Sequence, residues 1–128
     1  MAGSVIIYAP DSIRGMILLK TLELKNITAR LCATHAEIDS ALKHQPAELI
    51  LFDTVSSFFD DIRYLKFLCA DKPDIFKIIL LDPQHASILK RASLRNCLEA
   101  SEPFAPEQIL TVVTEILDVK KKVFLSAA

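Results

Sequence analysis

The strongest constraint on this chain is an alternation. Short apolar runs of strand length are separated by segments with helical spacing. The runs are Val5-Ile6-Ile7-Tyr8, Ala29-Arg30-Leu31-Cys32, Leu49-Ile50-Leu51-Phe52 and Ile78-Ile79-Leu80-Leu81, with a weaker fifth at Cys97-Leu98-Glu99-Ala100. A run that is apolar on both faces has no side to give to water, so it fits a central parallel strand. Between the runs, residues 12–25 carry Ile13, Met16, Ile17, Leu18, Leu19 and Leu22. Thr34 with Glu37 three residues on reads as a capping box, and Ile38, Ala41 and Leu42 follow at helical spacing. Residues 60–70 supply Ile62, Leu65 and Cys69, and residues 85–95 form a shorter helical candidate. Pro106 suits a first helical position, with Ile109, Val112, Val113, Ile116 and Leu117 at i, i+3, i+4, i+7 and i+8.

Five strands alternating with five helices predict an α/β fold with a parallel sheet covered on both faces. Right-handed crossovers leave few topologies. The flavodoxin-like doubly wound order 2-1-3-4-5 is the expectation, with strands near residues 4–9, 28–33, 48–53, 77–82 and 97–101. Its ligand crevice lies at the ends of strands 1 and 3. Residues 1–128 read as a single domain with its core at about 4–119. Met1 to Ser4 are expected to be disordered, and residues 120–128 to be a helix overhang, a linker or a tail.

Composition removes several function classes. The net charge of −1 gives no global field to attract nucleic acid or an anionic membrane. No apolar stretch approaches the ~18–20 residues of a membrane span, and no basic region precedes an apolar core at the N-terminus, so the cytoplasm is expected. Glycines stand only at Gly3 and Gly15, which leaves no dinucleotide cradle, because backbone cannot approach a pyrophosphate closely without glycine. Ser12, Ser56 and Ser57 lack a G-x-S-x-G context. His35, His44 and His85 have no metal-ligand spacing and read as surface or boundary residues. Cys32, Cys69 and Cys97 are dispersed and read as buried free thiols. Lys120 to Lys122 read as a solvated helix end. No enzyme activity, cofactor or resident metal is expected.

Asp53 closes the most apolar run, at the strand end where open α/β sheets place their chemistry. Around it the order of motifs resembles the receiver domain of bacterial two-component response regulators. Leu49 to Asp53 resembles the phosphoacceptor strand, Asp60-Asp61-Ile62 stands where that family has Asp-Gly-Leu, and Glu102-Pro103-Phe104 resembles its Lys-Pro-Phe. Ala105 to Ile109 resembles the start of its final helix. The resemblance spans about residues 4–119. It implies an aspartate that accepts a phosphoryl group from a histidine kinase. It also implies two acidic residues after strand 1 that share a magnesium ion with that aspartate. A Thr or Ser after strand 4 and a Lys after strand 5 would then bind the phosphoryl oxygens.

The chain departs from that pattern nearly everywhere except at Asp53, the phosphoacceptor position. Ala9 and Pro10 stand at the acidic pair, with Asp11 the nearest acid. Asp82 takes the Thr/Ser position, Glu102 the Lys position beside Pro103, and Glu99 the aromatic position on strand 5. A carboxylate attacks an anionic phosphoryl group only where a metal and an ammonium neutralise charge. Like charges about 4 Å apart repel by roughly 4 kcal/mol at an effective dielectric near 20. Two such swaps oppose phosphoryl transfer by several orders of magnitude.

Each feature leaves two readings open. Asp53, Asp82 and Glu102 either converge as a remodelled cation site or sit solvated or paired with an Arg or Lys. Arg14, one turn into the first helix, either reaches Asp53 or Glu102 as a replacement cation or lies on a solvated face. Phe58 and Phe59 either form a partner-binding patch or pack over the loop. The resemblance implies a degenerate pseudo-receiver acting by protein–protein contact in bacterial signal transduction. Its partner, another protein or a second copy, would dock on the fourth helix, fifth strand and fifth helix. An atypical phosphoreceiver using Asp53, and a small-ligand or cation sensor, are the alternatives. The resemblance also implies a cis Glu102–Pro103 peptide, and the missing acids predict no magnesium binding at millimolar concentration. If the three carboxylates converge, repulsion should raise the proton affinity of at least one of them. Glu102→Lys should then be at least as stable as the parent and still fail to phosphorylate.

Overall fold

The computed structural model describes residues 4–92, 94, 96–102 and 105–127, with residues 120–127 as backbone only. The chain runs β1 (Ser4–Tyr8), α1 (Ser12–Glu23), β2 (Thr28–Cys32), α2 (His35–His44), β3 (Leu49–Asp53), α3 (Phe58–Asp71) and β4 (Phe76–Leu81). A 3-10 turn (Pro83–His85), α4 (Ala86–Arg91), β5 (Cys97–Ser101) and α5 (Pro106–Ala127) follow. All pairings are parallel, and the strand order is 2-1-3-4-5. This is the doubly wound flavodoxin-like arrangement that the apolar runs predict.

Strand alternation divides the core. Ile6, Tyr8, Ile50, Phe52, Ile79 and Leu81 face α2, α3 and α4. Val5, Ile7, Leu49, Leu51, Ile78 and Leu80 face α1 and α5, where Leu18, Leu22, Ile109, Val113 and Leu117 meet them. Every residue of β3 is buried. Asp53 falls in the odd-numbered series, so its side chain leaves the strand on the α1 and α5 side.

Local chemistry sets the element ends. Thr34 and Glu37 form the full capping box expected of them. Asn26, at φ 58°, takes the left-handed conformation after α1, a place where Asn is tolerated better than most side chains. Asp82 accepts from the Gln84 amide and caps the 3-10 turn, and α4 follows over Ala86–Arg91 against the expected 85–95.

Several expectations are corrected. Ser4 belongs to β1; Met1 to Gly3 lie outside the described residues. α3 starts at Phe58, two residues early. Residues 120–127 continue α5 as helix, the overhang reading. Ile13, Met16 and Ile17 of α1 are exposed, because six apolar positions cover more of the helix than one sheet face can bury.

Candidate functional site

The carboxyl end of the sheet carries an arginine bridge. Asp11 caps α1 by accepting from the amides of Ile13 (2.9 Å) and Arg14 (3.3 Å). Gly15 then lets the first turn of α1 lie close on the sheet. A Cβ there would stand 2.8 Å from Leu31 Cδ1 and 3.2 Å from Ala9 Cβ. From that seat Arg14 crosses to β3. Its Nε donates to Asp53 Oδ2 at 2.6 Å, and its Nη2 to Asp53 Oδ1 at 3.3 Å. Its Nη1 donates to Glu102 Oε1, just past β5, at 2.6 Å. One guanidinium therefore ties α1 to the ends of two strands.

Burial decides which arm matters. The Asp53 side chain is 3% exposed, against 27% for Arg14 and 38% for Glu102. Asp53 Oδ1 also accepts from the Val55 amide at 3.2 Å. Burial works against the charge on Arg14, but the hydrogen bonds to Asp53 and Glu102 outweigh it, so the guanidinium holds its proton more tightly than usual. A bidentate arginine–carboxylate pair with one side dehydrated is among the stronger polar contacts a fold contains.

The other expected site residues are engaged locally. Asp11 is engaged as the α1 cap, Ala9 is buried, and Pro10 is exposed. Asp82 is half-buried and engaged as the cap of the 3-10 turn. Among the described residues, no group of three or more His, Cys, Asp or Glu is placed to hold a metal ion. Of the two open readings, the geometry matches the paired one: an arginine holds Asp53 and Glu102, and Asp82 caps the 3-10 turn. Pro103, and the expected cis bond before it, lie outside the described residues, as does Phe104.

A second polar cluster, invisible to motif reasoning, lies across the sheet. Asp61 of α3 is 1% exposed. Its Oδ1 accepts from the Tyr8 hydroxyl at 2.7 Å and lies 2.7 Å from His35 Nε2, while its Oδ2 accepts from Ser57 Oγ. The His35 ring stacks on Tyr64, with centroids 4.1 Å apart and planes 6° apart. Burial, then the hydrogen bond to Asp61 and its charge, raise the Tyr8 phenol above its ordinary value. The signal was present in the sequence: Phe58, Asp61, Leu65 and Leu68 share one helical stripe, so an acid stood on the buried face.

The two phenylalanines divide. Phe58 is buried and stacked on His85 at 4.4 Å, whereas Phe59 is 69% exposed. His85 is itself buried, contrary to the surface or boundary reading.

No family model matches the chain, and no curated protein matches its sequence. Solved structures do match. The response regulator receiver domain protein (CheY-like) from Methanospirillum hungatei JF-1 aligns with a TM-score of 0.77 at 18% identity, over 95% of this chain and 98% of that one. The fold is that of response-regulator receiver domains. The Francisella response regulator 1452 receiver domain gives a TM-score of 0.78 at 16% identity, covering 92% and 98%. NtrX from Brucella abortus gives 0.83 at 15% identity over 99% of this chain, which spans 29% of that longer protein. At such identities the likeness speaks for the receiver fold alone. Among the described residues, no helix is long and apolar enough to cross a membrane.

Proposed function

We propose that this domain is a degenerate receiver, a protein–protein interaction module in bacterial two-component signalling with no phosphoryl-transfer chemistry of its own. The arginine bridge carries the reading. Asp53, at the phosphoacceptor position, is occupied by Arg14, and Glu102, at the lysine position, holds the other end of the same guanidinium. An incoming phosphoryl group would have to displace a bidentate partner from a buried carboxylate. It would also meet Glu102 in place of an ammonium. Asp11, the nearest acid to the missing metal pair, already accepts two backbone amides.

The partner face is α4, β5 and α5. Each of these elements exposes an apolar side chain: Ile88 on α4, Leu98 on β5 and Val119 on α5. Apolar side chains set among polar neighbours suit a contact surface for another protein or a second copy.

One observation favours an alternative. Arg14 already brings a cation to Asp53, so an atypical phosphoreceiver would be partly neutralised. Acetyl phosphate with magnesium, read by intact mass, separates the two. No added phosphate at Asp53, and no amide shifts around it with beryllofluoride and magnesium, are the expected results. Stoichiometric phosphorylation that Asp53→Asn abolishes would establish the phosphoreceiver instead.

A further inference from the structure

At the opposite end of the sheet, two cysteines 28 positions apart in the chain bring their sulfurs to 3.3 Å. Cys69 lies in the last turn of α3 and is buried, and Cys97 opens β5 and is half-buried. The turn that delivers Cys97 is tied on both sides. Asn96 takes φ 55°, its Nδ2 donates to the Pro73 carbonyl at 2.5 Å, and its own carbonyl accepts from the Lys77 amide at 2.9 Å. Lys77 pairs with Cys97 in the β4–β5 register and is fully buried, with its ammonium donating to the Lys72 carbonyl.

The pair is electrostatically polarised. The hydrogen bond with Cys97 lowers the proton affinity of Cys69; burial opposes this and the Lys77 charge supports it. The same hydrogen bond, with burial, raises Cys97. A thiol with thiolate character beside a buried ammonium is the setting in which cysteine becomes a nucleophile. Cys32 differs, since burial first and the Glu37 charge next push its thiol up.

We propose that Cys69 and Cys97 form a reversible disulfide that clamps the end of α3 to the start of β5, with a hydroperoxide as the oxidant. The Cys69 thiolate attacks a peroxide oxygen; an S–O bond forms, the O–O bond breaks, and the hydroxide released is protonated to water. The Cys97 sulfur then attacks the sulfenic sulfur. The S–S bond forms, the S–O bond breaks, and hydroxide leaves with the Cys97 proton as a second water. Two thiols lose two electrons and two protons, and one hydrogen peroxide becomes two waters. The sulfurs must close from 3.3 Å to about 2.05 Å, a change on the scale of side-chain rotation. The bridge would enclose β4 and α4 in one covalent loop. It lies away from the arginine bridge and does not depend on what Asp53 does.

The test treats the reduced full chain with hydrogen peroxide under native conditions. The expected product is monomeric and lighter by two hydrogens, has a mobility change on a non-reducing gel that dithiothreitol reverses, and yields a tryptic peptide pair joining Cys69 to Cys97. Its thermal midpoint should lie above that of the reduced chain. Cys32→Ser should leave this product unchanged, and Cys97→Ser should abolish it and leave Cys69 carrying added oxygen. An unchanged mass, oxygen addition without hydrogen loss in the parent, a bridge through Cys32, or a disulfide-linked dimer would each overturn the proposal. The peptide map of the parent decides it even if a variant fails to fold.

Discussion

Replacing Arg14 by Met keeps an apolar stem on α1 and removes the guanidinium. The loss can be worked arm by arm. Asp53, 3% exposed, would keep its Val55 amide bond but lose a bidentate cation. Removing one partner of a buried pair costs about 3–5 kcal/mol. Arg14 is 27% exposed, so water can enter in its place, which brings this arm to about 2–3 kcal/mol. Glu102 is 38% exposed, and its arm contributes about 0–1 kcal/mol. The total is about 2–4 kcal/mol, a large share of the ~5–15 kcal/mol that holds a domain together. Urea unfolding of Arg14→Met, Asp53→Asn, Glu102→Gln and the two double variants that include Arg14→Met measures it. The midpoint of Arg14→Met should fall by roughly 1–2 M at an ordinary m-value. The Arg14–Asp53 coupling should exceed about 1.5 kcal/mol, and the Arg14–Glu102 coupling should stay below about 1 kcal/mol. An Arg14–Asp53 coupling within about 0.5 kcal/mol of zero would refute the bridge as a structural element.

Three other variants probe the same physics. Glu102→Lys, at first sight a repair of the receiver pattern, sets an ammonium beside the Arg14 guanidinium and removes its partner; it should lose about 0.5–1 kcal/mol in the same urea assay, and a gain would mean that Glu102 is repelled rather than held. Tyr8→Phe should flatten the alkaline side of the stability curve. The folded state holds the Tyr8 proton more tightly than the unfolded chain does, chiefly through burial and then Asp61. Its contribution is therefore complete below about pH 10 and fades as pH rises beyond it, at up to about 1.4 kcal/mol per pH unit; equal slopes for parent and variant above pH ~10 would remove Tyr8 from that account. Gly15→Val should cost about 1–3 kcal/mol by driving a branched side chain against Leu31 and Ala9, and chemical shifts at Asp53 should move with it, since α1 carries Arg14; an unchanged midpoint would show that the close approach is not required.

Much of the fold was readable because its signals are local. Consecutive apolar residues mark central strands wherever they occur, so the five strands came within about a residue of their observed ends, and the right-handed crossover rule supplied the order. Thr34 and Glu37 form a capping box from four residues alone. The site was only half readable. The substitutions at Glu102 and Asp82 stand in the sequence, but whether their charges repel depends on side-chain reach. Arg14 reaches across 39 positions to Asp53 and 88 to Glu102, distances over which residue spacing carries no information. The Cys69–Cys97 contact is hidden for the same reason, since it depends on an α3 helix and a β5 strand meeting across Lys77. Asp61 differs, because its signal is local. Its helical period puts an acid on a buried stripe, and such an acid must find partners, but the period does not name Tyr8, His35 or Ser57 as those partners.

The arginine bridge also changes what the receiver pattern's missing parts mean. Were Asp53 and Glu102 unpaired carboxylates at one crevice, supplying a single cation at position 102 would relieve the site. With Arg14 between them, the crevice already has its cation, held against both Asp53 and Glu102. On the proposed reading, an acceptor site of the receiver pattern would require coordinated changes: a lysine at position 102, a Thr or Ser at position 82, removal of the guanidinium at position 14, and carboxylates at positions 9 and 10 that could share a metal with Asp53. Any one alone leaves either a buried unpaired charge or an occupied aspartate. Single substitutions away from the present arrangement therefore lose stability before they gain chemistry, which gives the bridge a reason to persist as structure.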